Sequence, residues 1–172
     1  KRQAPNYEIF QMTNDIANWF HRLIAELNLR RLGFETEHIT LTAYQQLSDV
    51  SKQLQLKLVP IDGMVKSLRA IKESEEIELI TKAVEISDSA FEHIKDIIHI
   101  GMSEQAVAWE IEKFMRKKGS QTIPFDFIAA SGTNSALPHA KPSQRAIRSG
   151  EPILIDIGAR IGGYSSDLTR TI

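Results

Sequence analysis

Two acidic residues, Asp156 and Asp167, stand in the segment EPILIDIGARIGGYSSDLTRTI at positions where an ordinary strand carries hydrophobes. Gly162-Gly163 lies between two apolar runs and signals a hairpin turn. A loop of Arg160–Gly163 would set the two aspartates directly opposite each other. A loop of Gly162-Gly163 alone would make them diagonal neighbours, and both lengths keep them on one face of the sheet. Cross-strand partners have Cβ atoms roughly 4.5–5.5 Å apart, and diagonal ones roughly 7–8 Å. Carboxylates at that range, flanked by Ile155, Ile157 and Leu168, repel each other and resist desolvation, so one holds a proton or a cation sits between them. Oxygen donors on rigid strands suit a hard or borderline divalent ion, and a shared carboxylate can bridge two. Solvated aspartates beside a turn would have the same spacing, which leaves both readings open.

A second stretch with chemical potential is SGTNSALPHAKPSQRAIRSGE, residues 131–151, rich in Gly, Ser and Pro. It places His139 between Pro138 and Ala140, where a rigid neighbour can present an imidazole for proton handling or ligand contact. Plain solvation is the ordinary state of a lone loop histidine. His21, His38, His93 and His99 show no paired spacing and read as structural or surface residues. The glycines of Gly158-Ala159-Arg160-Ile161-Gly162-Gly163 are unevenly spaced, and no helix pattern follows them, which argues against a dinucleotide site. No GxSxG nucleophile elbow is present.

These residues need elements to hold them. Helical spacing runs from Asp15 to Leu29, with Thr13 or Asn14 as N-cap, and again from Thr42 to Gln55. RLGFE (Arg31–Glu35) and LKLVPI (Leu56–Ile61) read as strands, the second at an edge because of Pro60. The character changes near Asp62-Gly63. Ser74 is the expected cap of a helix whose first turn is acidic and whose stripe is Ile77, Ile80, Val84, Phe91, Ile94, Ile97 and Ile98. Ser103 caps a further helix with Val107, Ile111, Phe114 and Met115 inward, closed by Lys117-Lys118-Gly119. A strand from Phe125 to Ala130, the polar loop, and two strands between Pro152 and Ile172 complete the chain.

With 172 residues, 42% hydrophobic and 25% charged, the sequence is that of an ordinary globular protein. A net charge of −1 gives no electrostatic reason to expect nucleic acid or an anionic membrane as partner. No apolar run approaches the roughly 20 residues that span a bilayer. The absence of cysteine excludes a disulfide framework and a thiolate zinc site, and it fits a reducing, cytoplasmic setting. The chain begins KRQAP and stops within a strand-like run, which predicts a fragment of a longer protein.

SGTNSALPHAKPS followed by IDIGARIGGYSSDLTRT resembles the first half of the catalytic domain of the Xaa-Pro peptidases. These are the aminopeptidase P and prolidase group of pita-bread metallopeptidases. SLRAIKESEEIELITKAVEISDSAF is similar to the start of that domain, and RLGFE through LVPI resembles the end of the creatinase-type domain that precedes it. The resemblance implies an α+β fold: residues 1–64 as the C-terminal part of an α/β creatinase-like domain, and 65–172 as the N-terminal half of the pita-bread domain.

It also implies two divalent ions, manganese first with cobalt or zinc as alternatives, held by two Asp, one His and two Glu. Asp156 matches the first metal ligand and Asp167 the bridging one. His139 matches a catalytic, substrate-binding histidine that is not a ligand. The implied reaction is hydrolysis of the bond before a proline in second position of a peptide, with prolidase activity or a non-catalytic pita-bread binding module as the other readings. No nucleic-acid or membrane partner is expected, and a homodimer is. No Glu follows Glu151 and no His follows His139, so the remaining three ligands have no counterpart here, and the fragment alone is expected to be inactive.

Overall fold

The computed structural model describes residues 5–12 and 16–172, which fall into two compact units, Lys1–Ile71 and Lys72–Ile172. In the first unit, α1 (Ile16–Glu26) is followed by β1 (Arg31–Glu35), α2 (Leu41–Gln53), β2 (Lys57–Ile61) and α3 (Met64–Ala70). The proposed caps Thr13 and Asn14, with Asp15, lie outside the described residues. β1 and β2 pair in parallel, with Pro60 opposite Phe34, so α2 is the crossover of a β-α-β unit. Phe20 and Ile24 of α1 meet Val50 and Leu56 in a small core. Helix α3 has no counterpart in the expectations above.

The second unit opens with α4 (Ser74–Ile97) and α5 (Glu104–Lys117). The cap of α4 is Glu73 rather than Ser74. Its carboxylate accepts from the backbone of Glu76, whose own side chain accepts from Glu73 N at 2.8 Å. This is a capping box with a carboxylate in place of the hydroxyl. The cap of α5 is Ser103, whose hydroxyl accepts from Ala106 N at 3.1 Å.

Behind the helices lies an antiparallel sheet, ordered β3 (Ile128–Ser131), β4 (Ile153–Ile157), β7 (Leu168–Thr171). Ala129, Ile153, Ile155 and Ile157 point to the helices and join Ile94, Val107, Ile111 and Met115 in the main core. Each such isoleucine removed from water contributes on the order of 1.5–3 kcal/mol.

The buried face of α4 is Ala83, Ser87, Ala90 and Ile94. Ile77 and Val84, expected in the apolar stripe, are 53% and 41% exposed. Small side chains let α4 lie close to the short ribbon of β5 (Arg160–Ile161) and β6 (Tyr164–Ser165), and the larger residues are displaced to the flank.

Candidate functional site

The hairpin register decides how the two aspartates meet. Asp156 pairs with Thr169 and Ile157 with Leu168, while at the tip Ile161 pairs with Tyr164. The loop is therefore Gly162-Gly163 alone, both with positive φ (56° and 89°) as a tight I′ turn requires. In this register Asp167 is the diagonal neighbour of Asp156.

The outer face of the sheet alternates away from the helices and presents Ile128, Ala130, Leu154 and Asp156, with the buried Ala140 packed on it. Into the same side opens a cleft of about 410 Å³, lined by Phe125, Asp126, Ile128, His139, Ala140, Lys141, Asp156 and Asp167. The structure thus brings all three sequence-predicted site residues to one cleft. Asp156 is half-buried, whereas Asp167 and His139 are exposed. Three carboxylates and one lysine among the lining residues give the cleft a field that favours cations.

Local contacts fix the aspartates. Thr169 Oγ1 donates to Asp156 Oδ1 at 3.0 Å, which orients that carboxylate across the strand pair. Beside Asp167, the buried Ser166 accepts from Ala159 N at 2.9 Å and lies 2.6 Å from Ser87 Oγ of α4. Ser87 in turn donates to Ala83 O at 3.3 Å, so Ser166 donates to Ser87 and the chain of hydroxyls is satisfied. Ser166 N also donates to Ala159 O at 3.0 Å. Between these bonds Gly158 passes so near the other strand that a Cβ there would sit 2.4 Å from Ser166 O.

Sequence reasoning missed Thr169, Ser166, Asp126 and Lys141. A threonine in a strand carries no signal by itself, and only the resolved register identifies its partner as Asp156. The remaining histidines take no part in the cleft; His93 stacks on Phe114 with ring centroids 4.3 Å apart.

The donor set is chemically suited to a hard divalent ion but incomplete. Asp156 and Asp167 supply oxygen donors, and among the described residues no group of three or more His, Cys, Asp or Glu side chains could hold a metal ion. The described residues contain no helix long and apolar enough to cross a membrane.

Residues 78–172 match the model of metallopeptidase family M24, and residues 1–71 match that of the creatinase/prolidase N-terminal domain. An uncharacterized peptidase of Bacillus subtilis, YqhT, is 39% identical over 172 residues, which is all of this chain and 48% of the relative. A Xaa-Pro dipeptidase of Pyrococcus furiosus is 46% identical over 112 residues, 65% of this chain and 32% of the relative. Among solved structures, an X-Pro aminopeptidase from Thermotoga maritima superposes with a TM-score of 0.89 at 34% identity, over 99% of this chain and 47% of that one. A Xaa-Pro dipeptidase from Bacillus anthracis gives the same TM-score of 0.89 at 40% identity, over 99% of this chain and 47% of that chain. The chain spans about half the length of the first of these relatives. Its fold is the α+β pita-bread arrangement, present in part and preceded by a creatinase-type domain.

Proposed function

The chain belongs to metallopeptidase family M24, and on that footing we propose that the full-length protein is a metal-dependent Xaa-Pro aminopeptidase, with Xaa-Pro dipeptidase as the alternative. The observation that carries this reading is the convergence of Asp156, Asp167 and His139 on one cleft, with Asp156 in β4 and Asp167 immediately before β7. Asp156 and Asp167 would be ligands to divalent ions, and further donors would come from outside the described residues. Oxygen donors without any cysteine favour manganese over softer ions. Bound there, the ions would supply an activated water and polarise the scissile carbonyl.

The protein's own residues would do the rest. Thr169 holds Asp156 through Oδ1, and Asp156 lines the cleft. His139 would contact the substrate and donate to the oxygen that becomes negative as the carbonyl turns tetrahedral. The X-Pro amide has no N–H, so recognition must come from the proline ring and the free amino terminus.

The full-length protein, supplied with Mn²⁺, is offered Gly-Pro-X tripeptides and the dipeptide Gly-Pro. Release of glycine from tripeptides, abolished in Asp167→Ala, is the expected result. Cleavage of the dipeptide alone would select the dipeptidase reading. Release from neither substrate would reject both.

A further inference from the structure

One buried carboxylate outside the cleft holds the loop that carries His139. Glu104, the first residue of α5, is 1% exposed. Its Oε1 accepts from Ser131 N (2.7 Å), Ser131 Oγ (2.9 Å) and Asn134 Nδ2 (3.1 Å). Its Oε2 accepts from Ser143 Oγ (2.6 Å), Ser143 N (3.1 Å) and Asn134 Nδ2 (3.2 Å). Ser131 and Asn134 precede His139 in the chain and Ser143 follows it, so a single side chain ties down the loop on both sides of the imidazole.

A second layer completes the arrangement. Arg145 Nη1 donates to Ser131 Oγ at 2.5 Å, and its Nη2 donates to both oxygens of Glu151 at 2.6 and 2.7 Å. Arg145 N donates to Ser143 Oγ at 3.1 Å. Each serine hydroxyl therefore donates to Glu104 and accepts from Arg145. Burial pushes the Glu104 carboxyl up, but the bonds from Ser143, Ser131 and Asn134 outweigh it and hold the group below its ordinary value, ionised.

Among the described residues His139 makes no hydrogen bond of its own, and its neighbour Ala140 is buried against the outer sheet face. Its place in the cleft is thus inherited from the loop. A packed hydrophobe at position 104 would avoid the desolvation of a charge, yet it would leave the two backbone N–H groups, of Ser131 and Ser143, to find partners elsewhere.

We propose that Glu104 is a positioning residue for His139, an anionic clamp that sets the imidazole over the cleft holding Asp156 and Asp167. The inference rests on the reading that His139 acts on substrate, and two readouts separate the two claims. Glu104→Gln keeps the shape but offers an NH₂ where one set of donors points. In the full-length protein with Mn²⁺ and Gly-Pro-X, it should lower kcat about 10- to 100-fold, the scale of an ångström-level misplacement, with KM within about twofold. In a His139→Ala background the same change should cost nothing further, because the group being positioned is gone. An equal loss in both backgrounds, or an unchanged kcat, would overturn the proposal.

The second readout needs no activity. In full-length protein labelled with ¹⁵N-histidine and on the backbone, Glu104→Gln should shift the His139 imidazole and the amides of residues 132–142, leaving those of β4 and β7 in place. Unmoved loop signals would overturn the clamp even if no Xaa-Pro peptide is cleaved. Should Glu104→Gln fail to fold, Ser143→Ala removes one donor to Oε2 and must produce the same changes at smaller size; their absence overturns the proposal equally.

Discussion

Gly158 is the point where the site's geometry can be broken with one methyl group. It lies between Asp156 and the hairpin tip, and a Cβ there would meet Ser166 O at 2.4 Å, Phe125 Cε1 at 2.8 Å and Pro124 Cγ at 2.8 Å. The two ring atoms belong to side chains that can shift. The carbonyl belongs to the partner strand, immediately before Asp167. To restore an ordinary contact, the strands must separate by about 1 Å, since carbon contacts in proteins settle near 3.5 Å. That separation stretches the two bonds that join Ala159 and Ser166, now 2.9 and 3.0 Å long. Overpacking costs about 1–3 kcal/mol, and each weakened hydrogen bond adds about 0.5–1.5 kcal/mol. Gly158→Ala should therefore destabilise the second unit by ~2–6 kcal/mol.

Gly163→Ala is the matched control. Its φ is 89°, yet nothing lies within 4 Å of a Cβ there, so only backbone strain of about 1–2 kcal/mol opposes it. Urea unfolding and hydrogen exchange of peptides spanning β4 to β7 measure both variants. For a unit of this size each kcal/mol lowers the melting temperature by roughly 4–8 °C. The expected order is wild type, then Gly163→Ala, then Gly158→Ala, with exchange in the last accelerated on both sides of the crossing. A Gly158→Ala protein within about 0.5 kcal/mol of wild type would refute the close approach, and with it the diagonal placement of the two aspartates.

Two further outcomes are expected. Ser166→Ala strands the buried Ala159 N–H and breaks the link to Ser87, at a cost of about 1–3 kcal/mol by urea titration, whereas Ser165→Ala on the exposed side should change little. Because the carboxyl of Glu104 is held below the ordinary glutamate range, its contribution to stability is present above the unfolded-state value and is lost as pH falls through the folded one. Unfolding midpoints should therefore drop below about pH 4.5 more steeply in wild type than in Glu104→Gln, and parallel profiles would contradict the assignment.

Parts of this architecture are legible in the sequence because one residue type decides them locally. The helix at Glu104–Lys117 follows from a serine cap and the spacing of Val107, Ile111 and Met115. The hairpin follows from consecutive glycines, although the choice between two registers needed the pairing of Ile161 with Tyr164 and of Asp156 with Thr169. Other parts depend on residues far away in the chain. Ile77 and Val84 look like core by spacing, but Ala83, Ser87 and Ala90 face inward, a choice made by how closely the β5–β6 ribbon approaches α4. Helix α3 buries no residue and starts at Gly63 without a side-chain cap, so neither of the usual signals marks it. Glu104 carries no local signal of burial; its burial arises from Ser131, Asn134 and Ser143, which only the folded loop delivers.

The diagonal register has a chemical consequence that direct opposition would lack. Directly paired aspartates would hold their Cβ atoms roughly 4.5–5.5 Å apart, close enough for the carboxylates to compete for one position. One step along the diagonal widens this to roughly 7–8 Å, and the position facing Asp156 is taken by Thr169 instead. A hydroxyl there donates to Oδ1 and relieves part of the charge, where a second carboxylate would have repelled it. Asp156 is thereby held through one oxygen, Oδ1, on the wall of the cleft. Asp167, exposed and next to the anchored Ser166, approaches the same space from the neighbouring strand. On the proposed reading a cation would sit between the two carboxylates, and the diagonal spacing of their Cβ atoms on the strand pair would keep them from competing for one position.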